Sequence, residues 1–434
     1  MDILRIDSKR ELFIDYYLIE KLDGTQIKLC TPQEQKLLGA PLRGHYMTII
    51  QDGNLFRAFY RNYIPGYDGK IYDGNPGEIT CYAESLDGLT WTYPGLKILK
   101  INGSYENNVI LGHNSPFSHN FSPFLDTRQS VEPEFRYKAL AGIHREGGLY
   151  AFASNDGIHW AKMNDQPVIT SKEFAFDSQN VVFWSQCENC YVCFFRSWSS
   201  PPNPLRTISR TTSQDFLEWT ESIPLTPNEK KEHLYTSNTH PYFRAPHIYI
   251  ALATRLFPDR GNSTDITFMT ARGNSRYSRL FKGAFIRPGV GSERWRDRAN
   301  YVAQNVVPTS ETEMSIYHGP GCRRYVLRTD GFTSVNAGFD GGTMVTKPFV
   351  FKGEKLEINY STSAGGYIVV GIQTPNGESI PGYRFIDCNM STGDEIKHYV
   401  SWGSKKNVKE LSGTPIRLMF VMADADLYSI QFKN

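Results

Sequence analysis

The pattern SLDGLTW at Ser85–Trp91 recurs as SNDGIHW at Ser154–Trp160 and as SQDFLEW at Ser213–Trp219. The copies start about sixty to seventy residues apart, a spacing typical of internal structural repeats. Serine and aspartate side chains can hydrogen-bond their own turn backbone, and the glycine of the first two copies tolerates a positive φ. The pattern therefore predicts one hairpin turn per repeat, with the tryptophan anchoring the next strand.

Turns of this Asp-box type are found in β-propellers, so the repeats predict a ring of four-stranded blades in which the turns are structural. Counting strands back from each turn gives five blades. The last blade, built on residues 313–336, lacks a fourth strand. We expect Leu12–Ile19 (LFIDYYLI) to supply that strand and so to close the ring without an exposed edge.

The pattern changes after Asp340. Short alternating strands separated by turn residues follow, as is typical of a β-sandwich. The sequence thus predicts an all-β chain with a five-bladed propeller over residues 1–339 and a β-sandwich accessory domain over residues 340–434.

The composition agrees with this fold and restricts the classes of molecule that the protein is expected to bind. Aromatic residues make up 13% of the chain, which also contains 36 glycines and 24 prolines, as suits a turn-rich all-β protein. The formal net charge of +2 gives no electrostatic case for nucleic acid or an anionic membrane. The start MDILRIDSKRELF lacks an apolar signal segment, so we expect a soluble, cytoplasmic protein. No feature predicts an oligomeric state.

Among the seven cysteines, Cys187 and Cys190 at a hairpin turn have the spacing of a metal or redox pair. This pair lies at a hairpin turn between VVFW and YVCFF, on the face expected to be opposite the active site. A lone CxxC is weak evidence for zinc, so plain thiols are favoured over a local disulfide or a metal site. We expect no metal and no cofactor.

Propeller topology predicts which side chains converge. Inner strands begin on the face that carries the site, second strands end there, and third strands begin there. From inner-strand starts, this rule selects Arg43, His45, His119, Asn120, Asp177, Asn238, His240 and Glu313. From third-strand starts it selects Glu78 and Asp265, and from second-strand ends Arg61, Arg196, Arg255 and Arg328.

Glycosyl transfer requires two carboxyl groups, one protonated and one ionised. We expect Asp177 and Glu313 to form this pair, because both are predicted to open inner strands nearest the axis. Asp177 is interpreted as the ionised base or nucleophile, and Glu313, beside Met314, as the general acid. Asp265 would orient the sugar or tune a partner's pKa, and Glu232 is a further candidate. A salt bridge to an arginine is the alternative role for each acid.

The arginines that end the second strands have two interpretations. Salt bridges with neighbouring carboxylates are favoured, and recognition of a substrate uronate, sulfate or phosphate is the alternative. Substrate contacts are expected from Arg43, His45, Arg61, Glu78, His119, Asn120, Arg196, Glu232, His240 and Arg255.

With these residues in place, the chain resembles the five-bladed propeller glycosidases of families 32, 43, 68 and 117. The strings ELFIDYYLIE, TCYAESLDGLTW, SHNFSPFLD, FDSQNVVFW, THPYFRAPHIYIAL, TEMS and DADLYSIQF look most like a largely uncharacterised family-32-like group. The family-32 motifs WMNDPNG, RDP and EC are absent, so no family-32 nucleophile is transferred to this chain. The resemblance implies a carbohydrate substrate and an acid pair in the funnel.

The first hypothesis is therefore an exo-acting glycoside hydrolase for an oligo- or polysaccharide, with a furanosidic or anionic sugar as its substrate. Three alternatives stay open. The protein is a non-catalytic carbohydrate-binding propeller if arginines hold its acids. A sialidase-like enzyme is suggested by the Asp-boxes and arginines, and a phosphorylase by arginines that could bind phosphate.

Overall fold

The computed structural model describes residues 3–229 and 231–434, which form two compact units. One unit comprises Pro32–Thr309 with Met314–Val326, and the other comprises the residues up to Thr31, Ser310–Glu313 and Leu327–Asn434. Regular structure is almost entirely β, and the described part of the chain has no helix long and apolar enough to cross a membrane. Its helical elements are short 3₁₀ turns at Phe117–His119, Pro133–Phe135, His144–Glu146, Pro258–Arg260, Ser292–Trp295, Phe385–Asp387 and Lys409–Leu411.

The larger unit is built on a five-bladed propeller, as the repeat spacing predicted. From the axis outward, blade 1 contains His45–Asp52, Leu55–Tyr63, Glu78–Ser85 and Val109–Leu111. Blade 2 contains Ser122–Leu125, Tyr137–Ala141, Tyr150–Ser154 and Ala161–Lys162. Blade 3 contains Val181–Ser185, Cys190–Trp198, Arg206–Ser213 and Ile223–Pro224.

Blades 4 and 5 depart from this regular form. In blade 4 the inner strand is interrupted, because His233–Thr236 and Thr239–Tyr242 both pair with Ala245–Phe257. Ser263–Arg272 pairs with that second strand on its other side. Blade 5 contains Val307–Pro308, Glu313–His318, Arg323–Arg328 and Gln33–Lys36, and a short parallel pair joins Leu38–Gly39 to Thr90–Trp91.

The repeated turn owes its shape to the serine and aspartate side chains. In the second copy, Ser154 Oγ accepts the N–H of Gly157 at 2.9 Å. Asp156 Oδ1 accepts the N–H groups of Ile158 and His159, each at 2.8 Å. The other two copies repeat these bonds. In the third copy Phe216 replaces glycine and has a φ of 75°, so a bulky residue occupies the left-handed region there.

A second repeated contact joins neighbouring blades on the face opposite the inner-strand starts. A carboxylate at the turn between the first two strands of one blade accepts the phenol of the next blade's second strand. Tyr137 donates to Asp52, Tyr191 donates to Asp126 at 2.6 Å, and Tyr249 donates to Glu188 at 2.7 Å. A cation accompanies each carboxylate, namely Arg136, Lys138 or Arg210. These bonds satisfy the polar ends of tyrosines whose rings pack in the apolar interfaces between blades.

The smaller unit contains the β-sandwich. Its large sheet runs in the order Ile19–Asp23, Gly342–Thr346, Arg417–Lys433, Thr333–Ala337, Thr25–Leu29. The 19-residue strand Lys355–Gln373 pairs with Arg417–Lys433 and with Asp394–Tyr399, and Glu11–Leu12 also pairs with Arg417–Lys433. Leu4–Asp7 pairs in parallel with Phe349–Phe351. A continuous apolar core that includes Phe349, Tyr360, Phe420 and Phe432 lies inside.

The expectation that Leu12–Ile19 closes the last blade is wrong. Glu11–Leu12 and Ile19–Asp23 pair with strands of the sandwich, and Gln33–Lys36 pairs with Arg323–Arg328 in blade 5. The chain before Thr31 therefore belongs with the C-terminal residues, and the units do not follow a single boundary at residue 340. Gln33–Lys36 reads QEQK, a polar run without the alternation typical of a strand, so the local sequence carries no signal for its pairing in blade 5.

The cysteines are thiols in this structure. Cys187 is exposed and Cys190 is buried, and the two are not joined. Their turn precedes the second strand of blade 3 and adjoins Glu188, on the face opposite the inner-strand starts.

We expect the substitution Asp156→Ala to lower the free energy of unfolding by about 1–2 kcal/mol, because two backbone N–H groups lose their acceptor. Burial raises the pKa of Asp156, but hydrogen bonds from His159 and Ile158 outweigh burial and lower the pKa to about 2. Its stabilising effect is thus present above the ordinary aspartate pKa and disappears as the pH falls through about 2. Urea unfolding at pH 7 measures the difference, with Asp165→Ala, whose side chain is 98% exposed, as the control. Equal losses in both variants would contradict the role of the turn.

The buried Arg10 should be essential to the sandwich. Its guanidinium donates to Ser429 at 3.0 Å and to Gln431 at 2.7 Å, and pairs with Glu357 and Asp330. The substitution Arg10→Met leaves two buried carboxylates without this cation, which should cost about 3–5 kcal/mol. Denaturant unfolding followed by tryptophan fluorescence tests this, with Arg5→Met, whose side chain is 68% exposed, as the matched control.

Candidate functional site

Blade 3 supplies the centre of the candidate site. Asp177 lies just before the inner strand, Arg196 lies near the end of the second strand, and Arg206 begins the third. Arg196 forms an ion pair with Asp177, and its side chain is only 1% exposed. The expected convergence of these strand ends is therefore seen in blade 3, and it brings two cations and one acid together.

The environment of Asp177 favours its protonated form. Burial raises the pKa of this carboxyl, Arg196 lowers it, and the neighbouring carboxylate of Asp73 raises it again, so that the pKa lies above the ordinary aspartate value. Burial prevails because water reaches only 14% of the side chain. The raised pKa shifts Asp177 towards its protonated form, whereas the sequence led us to expect an ionised base or nucleophile.

Asp73 and Asp177 line one cavity of about 320 Å³. Asp73 is in the loop between the second and third strands of blade 1, and its side chain is 60% exposed. The other lining residues are Tyr72, Ile143, His144, Arg145 and Phe174. Phe174 also lines a cavity of about 600 Å³, together with Trp198 and Glu173. The two cavities thus share an aromatic wall.

A second polar group lies at the start of blade 2. His119 Nδ1 is 2.9 Å from Glu78 Oε1, and Arg61 Nη1 lies 3.3 Å from the same oxygen. His119 Nε2 is 3.2 Å from the backbone carbonyl oxygen of Asp177 and 3.9 Å from Asp73 Oδ1. Glu78 Oε2 also accepts the N–H of Gly74 at 3.1 Å. Glu78, His119 and Arg61 are therefore brought together as predicted, and His119 connects them to both aspartates of the cavity.

Tyrosines pack where the inner strands of blades 1, 4 and 5 begin. Tyr301 makes edge contacts with Tyr46 and Tyr235 at ring-centroid distances of 6.1 and 5.7 Å. Tyr46 also contacts the ring of His119, and the Arg61 guanidinium lies 4.6 Å from the centroid of Tyr46. All three tyrosines are buried. They form an aromatic base beside the polar groups.

Asp265 and Glu232 are held by arginines in blade 4. Arg255 binds Asp265 through two hydrogen bonds of 2.7 and 2.8 Å. Glu232 is paired with Arg279, accepts the N–H of Glu229 at 2.9 Å, and lies 3.7 Å from Arg255. Each carboxylate thus has the salt bridge that was the alternative interpretation.

The structure does not place Glu313 at the start of an inner strand. Val307–Pro308 pairs with Met314 and Ser315, so Glu313 begins the second strand of blade 5 and is exposed. His318 ends that strand, and Arg323 begins the next one. These two residues therefore occupy the positions in blade 5 that correspond to Arg196 and Arg206 in blade 3. The inner strand was missed because its ladder covers only two residues, too few for an alternating pattern. Arg328 ends a third strand instead of a second, and pairs with Asp394.

Other predicted contacts have structural partners or lie at the surface. Asn120 is fully buried and donates to the carbonyl oxygens of Gly142 and Phe176 at 2.8 and 2.6 Å. His240 is buried between the carbonyl oxygen of Asn238 and the N–H of Val306, at 2.8 and 3.1 Å. Burial lowers the pKa of His240 to about 4, so it is neutral at pH 7. The side-chain amide of Asn238 donates to the carbonyl oxygen of Val302 at 2.6 Å.

Arg43 and His45 are exposed, and Arg43 donates to Cys322 Sγ at 3.1 Å. The cavity wall and its surroundings also contain Asp73, Arg206 and the three tyrosines, which the strand-end rule does not select. Asp73 lies in the loop between the second and third strands of blade 1, on the same face as the strand ends that the rule does select. Within the described residues, no cluster of three histidine, cysteine or acidic side chains could hold a metal ion.

Comparison with known proteins gives structural likeness without a sequence match. No protein-family model matches the chain, and no curated protein matches it by sequence. A solved structure described as a glycoside hydrolase is 13% identical, with a TM-score of 0.47 over 70% of this chain and 92% of that chain. The family 43 arabinoxylan arabinofuranohydrolase from Bacillus subtilis, solved with cellotetraose, is 12% identical, with a TM-score of 0.44 over 91% of this chain and 96% of that chain.

The β-1,2-mannobiose phosphorylase from Listeria innocua, solved with β-1,2-mannobiose, is 10% identical, with a TM-score of 0.47 over 67% of this chain and 91% of that chain. These solved structures, described as glycoside hydrolases and a phosphorylase, are distant likenesses of fold.

Glu232 should contribute to stability. The substitution Glu232→Ala leaves Arg279 buried without its carboxylate, so we expect the free energy of unfolding to fall by about 3–5 kcal/mol. Thermal and urea unfolding measure the change. The neighbouring Glu229→Ala, which removes a carboxylate that is 40% exposed, is the control and should cost no more than about 1 kcal/mol. A fully stable Glu232→Ala variant would show that this ion pair is dispensable.

Proposed function

We propose that this protein is a glycoside hydrolase, with Asp177 as the general acid and Asp73 as the second carboxyl group. The observation that carries the proposal is that both acids line one cavity while differing in exposure, at 14% and 60% of their side chains. Two carboxyls in unlike environments are what glycosidic bond hydrolysis requires. This pair replaces the pair of Asp177 and Glu313 expected from the sequence.

Asp177 suits the role of proton donor. A general acid must be protonated at the working pH, and burial and the nearby Asp73 both raise the pKa of Asp177. Its proton would pass to the oxygen of the departing sugar as the glycosidic bond breaks. Arg196 pairs with the carboxylate that this transfer leaves, so the charge formed on Asp177 is stabilised in the buried site.

Asp73 suits the second role because water reaches its carboxylate. It would either remove a proton from the attacking water or attack the anomeric carbon itself, and the product configuration distinguishes the two courses. His119 Nε2 lies 3.2 Å from the backbone carbonyl oxygen of Asp177 and 3.9 Å from the carboxylate of Asp73, and His119 Nδ1 is held by Glu78. We assign His119 and Glu78 a positioning role towards the cavity.

The surrounding residues support a sugar substrate and attack at a chain end. Phe174 and Trp198 provide ring faces in adjoining cavities, where sugar rings can stack. The buried cluster of Tyr46, Tyr235 and Tyr301 packs at the inner-strand starts, which favours entry of substrate from one side. Exo attack on an oligo- or polysaccharide is the mode that fits such a site.

The substitutions Asp177→Asn and Asp73→Asn should each lower turnover by about 10²–10⁴-fold, the usual loss on removing an acid–base group. Turnover is measured on nitrophenyl glycosides and oligosaccharides selected by screening the wild type. Asp165→Asn makes the same chemical change at a fully solvated position and should keep full activity. Near-normal turnover in both site variants would refute the pair. Sugar binding by the wild type without any cleavage would favour the non-catalytic binding alternative.

The pH dependence should identify Asp177 as the acid. Because its pKa is raised, kcat/KM should be highest below that pKa and fall as the pH rises through it, when the proton is lost. In Asp177→Asn this alkaline limb should disappear, and substrates with a nitrophenolate leaving group should lose less activity than natural linkages, since they need less protonation. An unchanged alkaline limb in the variant would assign the acid to another residue.

A further inference from the structure

Two guanidinium groups lie near each other in blade 3, and one of them pairs with the carboxylate of Asp177. Trp198 pairs with Arg206 across the second and third strands, and Arg196 lies two residues before Trp198 on the same side of the sheet. The Arg196 guanidinium carbon is 5.6 Å from the ring centroid of Trp198 and 5.8 Å from that of Tyr235. The corresponding distances for Arg206 are 4.7 and 5.5 Å. Both cations therefore contact the same two rings.

The charges of this pair are not balanced. Asp177 pairs with Arg196, whereas no described carboxylate lies within ion-pair distance of Arg206. Burial lowers the pKa of Arg206, and the like charge of Arg196 lowers it further, so the two cations repel each other in a poorly solvated place. When Asp177 carries the proton that a general acid needs, neither guanidinium retains an ionised partner.

Several N–H groups of these two arginines also lack a hydrogen-bond acceptor. Arg196 is 2% exposed, yet its Nε and Nη1 atoms make no hydrogen bond to described residues, and its Nη2 atom contacts only the carboxylate of Asp177. Arg206 Nε is also buried without an acceptor, and its Nη1 lies 3.4 Å from His233 Nδ1. Burial lowers the pKa of His233, with the two arginines adding to this, so His233 is neutral and offers no negative charge. Buried guanidinium N–H groups without acceptors indicate that the acceptor comes from a ligand.

From this geometry we infer that Arg196 and Arg206 bind an oxyanion beside Asp177. The anion is either the carboxylate or sulfate of an acidic sugar or a free inorganic phosphate, since both offer oxygens that a guanidinium binds in pairs. This inference deepens the proposed function, because it names the substrate class at the same cavity wall. The ring centroid of Phe174 is 5.6 Å from the Arg196 guanidinium carbon, and Phe174 lines both cavities. An anion bound to Arg196 would therefore lie next to the sugar site.

Equilibrium binding tests the inference without any need for turnover. Isothermal titration calorimetry of the wild-type protein measures the affinities for inorganic phosphate, sodium D-glucuronate and neutral D-glucose. We expect at least one anion to bind with 1:1 stoichiometry, and Arg206→Gln to weaken it by about tenfold or more, the loss of a charge-assisted hydrogen bond. Arg206→Lys, which keeps the charge, should bind the anion with intermediate affinity.

Arg276→Gln is the matched control, because Arg276 is exposed in the turn after the third strand of blade 4. It removes the same net charge and should leave anion affinity unchanged. Thermal unfolding checks that each variant is folded, and Arg206→Lys supplies the comparison if Arg206→Gln is not. Stronger binding of glucuronate than of phosphate identifies an acidic sugar as the source of the anion, and the reverse order identifies free phosphate.

The results separate this inference from the proposed function. If no anion binds, or if Arg206→Gln and Arg276→Gln bind anions equally, the oxyanion site is refuted even where the wild type hydrolyses neutral glycosides. If anions bind through Arg206 and no glycoside is cleaved, the oxyanion site stands and the hydrolase proposal fails.

Discussion

The propeller depends on one repeated contact, in which a carboxylate at the far end of one blade accepts the phenol of a tyrosine from the next. The accepting carboxylates at three successive blade interfaces are those of Asp52, Asp126 and Glu188. Each bond fixes the polar tip of a side chain whose ring is packed in the apolar interface, so it sets both the distance and the rotation between blades. Because the blades are fixed in this way, the opposite ends of their inner strands converge.

Convergence explains why the candidate site is rich in charge. Strand ends from blades 1, 2 and 3 bring Glu78, His119, Asp177 and Arg196 together. Such crowding is costly unless each group has a partner, and most of these groups do. Asp177 and Arg196 pair with each other, but burial still raises the pKa of Asp177, and several N–H groups of Arg196 and Arg206 lack acceptors. Groups in this condition are typical of places where a substrate completes the interactions.

The remaining acids show how the same chemistry can be structural. Asp265 has two hydrogen bonds from Arg255, and Glu232 is enclosed by Arg279, Arg255 and the N–H of Glu229. In sequence these acids look no different from Asp177, since all three lie near strand ends in turn-rich segments. The difference lies in the number of donors that the folded chain presents to each carboxylate. A satisfied carboxylate stabilises the blade that contains it, whereas a partly satisfied one can exchange a proton.

The sequence alone determined the repeated turns, the five blades and the faces on which Asp177, Glu78, His119 and Arg196 would meet, because these follow from periodic patterns and local hydrogen bonds. It did not determine the closing strand of blade 5, since Gln33–Lys36 is a run of four polar residues without a strand pattern and its pairing depends on distant partners. It also misplaced Glu313, because the inner strand before it has a two-residue ladder. Only the tertiary structure decided that Asp73 shares a cavity with Asp177, and that Arg206 lies beside Arg196, because burial and counter-charge arise from residues that are remote in the chain.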